Sequence, residues 1–128
     1  SDLEEGSESE LNDWYPVCNK DSFNGSKICT LSKDPLLVML KDGIYAVSVG
    51  KHHYPKSKSA IKIDNNATIY GYEGISESPK KVIEQLKKGK KVFTRYQEWP
   101  YRQNLDREID LTGFPDKFEE MLELYRQL

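Results

Sequence analysis

Apolar and polar positions follow two rhythms along this chain, and the change from one to the other predicts its architecture. Leu36 to Leu40 is an unbroken apolar run of strand length, and Lys41-Asp42-Gly43 supplies the chemistry of a tight turn. Ile44 to Val49 returns as the second strand of that hairpin. Gly50 to Ser59 reads as a loop. Ala60 to Ile63 then alternates as a strand, Asp64-Asn65-Asn66 turns, and Ala67 to Tyr72 forms the next strand. The rhythm then lengthens. Ser78 stands where a helix cap is expected, Pro79 suits the first helical position, and Val82, Ile83 and Leu86 share one face. Lys87 and Lys88 complement the carboxyl end of this helix, and Gly89 stops it. Val92 to Tyr96 returns to strand, and Trp99-Pro100 breaks it. Leu105, Arg107, Ile109 and Leu111 alternate against Asp106, Glu108 and Asp110, which is a further strand. Gly113-Phe114-Pro115 reads as a turn before a last helix whose stripe is Phe118, Met121, Leu122, Tyr125 and Leu128.

The sum is about six strands and two late helices, with residues 14–31 left as an opening segment. Strands and helices do not alternate regularly, so a doubly wound parallel sheet is not expected. The predicted fold is mainly β with two helices: an antiparallel, β-sandwich-like sheet with one inserted and one C-terminal helix.

A length of 128 residues suits one domain with a real core. The net charge of −2 conceals an asymmetry. Residues 1–13 hold six acids and no base, which leaves 15 acids against 19 bases, or +4, over residues 14–128. The expected organisation is therefore an acidic, disordered leader over 1–13 and one globular domain over 14–128. No apolar run is long enough to cross a bilayer as a helix. A chain that opens at Ser1 on a polar spacer is expected to be a processed product or a fragment, with room for a lipid anchor before Ser1.

Cys18 and Cys29 flank a stretch containing Asp21, Asn24 and Gly25, residues that favour turns. A disulfide is the favoured arrangement, and it implies export to an oxidising compartment. Two reduced, buried cysteines are the main alternative. Metal ligation is the least favoured, because His52 and His53 are the only histidines and neighbours on a strand point to opposite faces. No metal or cofactor is expected.

Chemistry-bearing motifs are sparse. There is no G-x-S-x-G elbow, and Gly71-Tyr-Glu-Gly74 lacks the length and the lysine of a phosphate-binding loop. No catalytic residues are assigned, and the chain is not expected to be an enzyme. The most interface-like residues are Tyr96, Trp99, Tyr101 and Arg102, because Tyr, Trp and Arg dominate interface energies. A second candidate surface is basic: Lys51, His52, His53, Lys56 and Lys58 in one loop, and Lys87, Lys88, Lys90 and Lys91 at the exit of the first helix. It would take a polyanion, although a pI near 5.7 argues against nucleic acid.

Several short motifs are shared with a known family. Trp14-x-x-x-Cys18, Cys29-Thr-Leu31 and Ile61-Lys-Ile-Asp64 are followed by Val82-Ile83-x-x-Leu86-Lys-Lys-Gly89-Lys90 and by Asp110-Leu-Thr-Gly113-Phe114. In these the chain resembles the invasion-associated locus B family of small exported bacterial proteins, over most of residues 14–128. It departs from that family in lacking a second cysteine pair and in its basic loop at 50–59. The resemblance implies a sandwich-like fold in the periplasm or on the cell surface, with Gly113 and Phe114 as a fold-defining turn and no catalytic residues. The resulting expectation is an exported, non-enzymatic interaction protein of a bacterial envelope whose partner is another protein. Such a role could be linked to virulence or to inhibition of that partner. A polyanion- or ligand-binding module is the alternative.

Overall fold

The alternating segments build one continuous antiparallel sheet. A computed structural model describes residues 14–128, so the expected acidic leader lies outside the described residues. The strands are β1 (Tyr15–Lys20), β2 (Lys27–Lys33), β3 (Leu36–Lys41), β4 (Ile44–Val49), β5 (Lys58–Ile63), β6 (Ile69–Tyr72), β7 (Ile75–Ser76), β8 (Lys91–Gln97) and β9 (Asn104–Asp110). Helix α1 (Pro79–Lys88) is inserted between β7 and β8, and α2 (Phe114–Arg126) closes the chain. Across the sheet the order is β1-β2-β3-β4-β7-β6-β5-β8-β9, every neighbouring pair being antiparallel.

The expected antiparallel, mainly β fold with one inserted and one C-terminal helix is present, but its sandwich-like form is not. All nine strands join one sheet, which curls into a half-barrel. Strand twist accumulates over so many strands and curves the sheet. The helices, not a second sheet, cover its concave side. Helix α2 packs on β1 and β2, α1 packs on β4 and β5, and the two helices touch.

Period-two alternation decides what faces that concavity. Leu31, Leu36, Val38, Val47, Val49, Ile61, Ile63 and Val92 point inward and are buried, joined by Val82, Ile83 and Leu86 of α1 and by Phe114, Phe118 and Met121 of α2. Trp14 is fully buried, with its ring edge-on to Phe114 at 5.0 Å. Phe114 stacks on Phe118 at 5.8 Å, and Phe118 on Tyr45 at 6.1 Å. This aromatic series fastens α2 to the sheet. Gly113 takes a left-handed φ of 86°, which side chains resist, and Phe114 is the first residue of α2 and not part of a free turn. Ser78 precedes α1 as expected, but its hydroxyl makes no capping bond.

The opening segment becomes the hairpin β1–β2. Cys18 and Cys29 sit opposite each other in its register and form a disulfide, with 4.1 Å between their Cα atoms. The bridge lies beneath α2, where both sulfurs approach the Met121 carbonyl. The thiols are therefore neither reduced nor metal ligands, and the bridge suggests an oxidising compartment. No helix among the described residues is long and apolar enough to cross a membrane.

Closing a loop of this size removes entropy from the unfolded chain. The Cys18→Ala/Cys29→Ala variant is expected to unfold in urea with about 3 kcal/mol less stability than the oxidised protein. Reduction of the parent protein should produce a loss of the same size.

Candidate functional site

The outward positions of β5, β6, β8 and β9 form the other face of the sheet, and here the side chains are aromatic, basic and polar. Lys58, Ala60 and Lys62 of β5, Tyr70 of β6, Phe93, Arg95 and Gln97 of β8, and Asn104, Asp106 and Glu108 of β9 line a groove of about 750 Å³. Its depth follows from Ala60. This small residue sits in register between Tyr70 and Arg95, and the larger side chains on either side form walls around it.

The cations of the groove divide into two kinds. Arg95 gives Asp106 two parallel hydrogen bonds of 2.8 Å from Nε and Nη2. That bond raises the guanidinium pKa and holds the Asp106 carboxyl below its ordinary value. Arg107 donates from Nη1 to the Asp106 carbonyl at 3.2 Å, and just outside the groove Lys91 is paired with Glu108 at 3.1 Å. Lys58 instead lies over the Tyr70 ring, 4.9 Å from its centroid. Neither Lys58 nor Lys62 has a carboxylate partner among the described residues.

The groove runs toward an aromatic corner at the turn between β8 and β9. The β4–β5 loop folds back against the end of β8: the Tyr54 N–H donates to the Gln97 carbonyl, the Trp99 N–H donates to the His52 carbonyl, and His53 bridges Glu98. Because neighbours on extended chain point to opposite sides, His53 turns in and Tyr54 turns out. The His53 Nε2 donates to the Val49 carbonyl at 2.6 Å, and its ring meets Tyr96 edge-on. The Tyr54 ring lies 5.1 Å from that of Trp99. The Arg102 guanidinium lies over the Tyr54 ring, 4.9 Å from its centroid, and donates from Nε to the Tyr54 hydroxyl at 2.9 Å. Trp99 is 56% exposed and Tyr101 67%.

The sequence-derived interface set is thus divided. Trp99, Tyr101 and Arg102 share the corner, while Tyr96 is 9% exposed and belongs to the core. Tyr96 alternates with outward Arg95 and Gln97, so a strand position, not a loop position, governs it. The basic set is also divided. Lys51, His52, His53, Lys56 and Lys58 lie at the Gln97 end of β8. Lys90 and Lys91 begin that strand, with their N–H groups held by the Asp64 carboxylate, and Lys87 and Lys88 precede them on α1. At about 3.3 Å per residue, β8 separates the two groups by roughly 20 Å.

Sequence reasoning missed Tyr70, Phe93 and Lys62 as site residues. The signal was present: each is a large side chain on the face opposite the buried positions Ile69, Val92 and Ile61. No family model, curated protein or solved structure matches this chain.

The corner depends on close packing beneath it. A Cβ built on Gly50, whose φ is +73°, would clash with the Tyr96 ring. Gly50→Ala is therefore expected to cost about 2–3 kcal/mol in urea unfolding, from overpacking and left-handed strain together. It should also change the near-ultraviolet dichroism of the Tyr54–Trp99 pair.

Proposed function

We propose that this protein is an exported, non-enzymatic binding module whose outer sheet face receives another protein at the Tyr54–Trp99–Tyr101–Arg102 corner. The observation that carries this reading is the exposure of Trp99 and Tyr101 on a corner already ordered by the Arg102–Tyr54–Trp99 contacts. An interface gains most from rigid aromatic and arginine anchors that lose little freedom on binding. The groove beside the corner adds room for a side chain or a short segment of the partner. The disulfide and the motif resemblance to the invasion-associated locus B family support a periplasmic or extracellular setting.

A second reading, an anionic ligand in the groove, is favoured by Lys58 and Lys62, which no carboxylate among the described residues pairs. In that case binding falls steeply with salt.

Both readings are tested with a photo-crosslinking amino acid placed at Tyr101 in cells of the native host, with Lys117 on α2 as the control position. The expected result is one adduct of defined mass from position 101, absent from position 117. Trp99→Ala should weaken the adduct by about 30-fold, the scale of an interface anchor. Equal adducts from both positions, or none from Tyr101, would count against the protein-binding reading. Salt-sensitive retention on heparin that is lost in Lys58→Glu/Lys62→Glu would instead favour the anionic ligand.

A further inference from the structure

The end of the sheet away from the aromatic corner presents an apolar tip surrounded by lysines. Phe23, at the apex of the β1–β2 hairpin, is 99% exposed, and Ile44, at the β3–β4 turn, is 72% exposed. Large apolar side chains scattered over a surface are ordinary, but these two stand on turns that are held together. The Phe23 and Asn24 N–H groups both donate to Asp21 Oδ1, at 2.7 and 3.3 Å, and the Gly25 N–H donates to the Asp21 carbonyl at 2.8 Å. The Ser26 hydroxyl and the Lys27 N–H both donate to the Asp42 carboxylate, at 2.6 and 2.8 Å, which ties the β1–β2 apex to the β3–β4 turn. These bonds hold Asp42 ionised, its pKa lowered first by the Ser26 hydroxyl and then by the Lys27 N–H. The disulfide staples the same hairpin one residue pair behind Asn19 and Ile28.

Cations surround this tip on both faces of the sheet. Lys20 and Lys27 are a register pair on the disulfide side, while Lys41 follows inward Leu40 and lies on the other side. Ile44 also borders the start of α1, where Lys80 and Lys81 are exposed and share a shallow cleft with it. No salt bridge among the described residues engages Lys20, Lys27, Lys41, Lys80 or Lys81. They outnumber the carboxylates of the same turns, Asp21, Asp42 and Glu77.

We infer that this end docks on an anionic lipid bilayer, with Phe23 and Ile44 entering the headgroup–acyl boundary and the lysines contacting anionic headgroups. An apolar apex within a cationic ring matches the charge and polarity profile of such a surface. The weak attraction of each lysine and the burial of each side chain add to a reversible attachment. The tip is built on β1–β4, apart from the groove, so this inference stands independently of the partner-binding reading.

The test is co-sedimentation of the purified, oxidised protein with vesicles of equal parts phosphatidylglycerol and phosphatidylcholine, against vesicles of phosphatidylcholine alone. Binding is expected to the anionic vesicles only and to weaken with salt. Phe23→Ser should lower the partition coefficient by about tenfold or more, from lost apolar burial. Lys20→Glu/Lys27→Glu/Lys41→Glu should abolish sedimentation. Phe23 touches no core, so the thermal midpoint of Phe23→Ser should match the parent.

A second variant, Phe23→Trp, reads insertion directly, because lipids brominated along the acyl chain should quench it beyond the native tryptophan signal. Sedimentation without that quenching would overturn insertion of the tip. Absence of binding to the anionic vesicles would overturn the whole inference and leave an apolar pocket on a protein as the tip's occupant.

Discussion

The contact of Trp14 with Phe114, continued through Phe118 to Tyr45, holds the helical cover on the sheet. A curled sheet of nine strands has one concave apolar face, and the described residues form no second sheet to bury it. Its stability rests on α2 lying across β1 and β2 and on α1 lying across β4 and β5. With those helices seated, each strand has a fixed inner face, and by alternation a fixed outer one. The groove and the aromatic corner occupy that outer face, so their geometry is a consequence of packing on the opposite side.

The two ends of the molecule differ for physical reasons. At one end the β4–β5 loop crosses the end of β8, and the missing side chain of Gly50 lets the Tyr96 ring pack beneath it. That packing aims Tyr54 outward against Trp99. At the other end, Asp21 and Asp42 use their carboxylates to bind backbone N–H groups, which orders two short turns without apolar packing. Phe23 and Ile44 are therefore presented by polar bonds, while Trp99 is presented by a core. Because β4 runs from Ile44 at one end to Val49 at the other, a bilayer on the first end leaves the aromatic corner directed away from it.

Most local elements were readable in the chain, and the exceptions are instructive. The β3–β4 hairpin, the α1 boundaries at Pro79 and Lys88, and the buried stripe of α2 follow from apolar spacing and turn residues. Neither β1 nor β2 is predicted: β2 (Lys27–Lys33) runs on past the opening segment with half-buried positions between its buried ones, and β1 is an edge strand. Its exposed Tyr15, Val17 and Asn19 alternate with half-buried positions and show no contrast in polarity. β7 was missed because a two-residue strand has no period. Tyr96 resembles an interface residue in sequence because Trp99 and Tyr101 lie beside it, but its strand parity sends it inward.

The sequence by itself determined the class of the fold, the strand and helix rhythm and the cysteine spacing suited to a bridge, because these depend on neighbours a few residues apart. Only the tertiary structure decided that the strands form one curled sheet, that the basic residues divide between the two ends of β8, and that Tyr70, Phe93 and Lys58 share a groove. Those facts depend on which strands become neighbours. The order β4-β7-β6-β5-β8 brings together residues far apart in the chain, through a balance of burial and pairing that no local window contains.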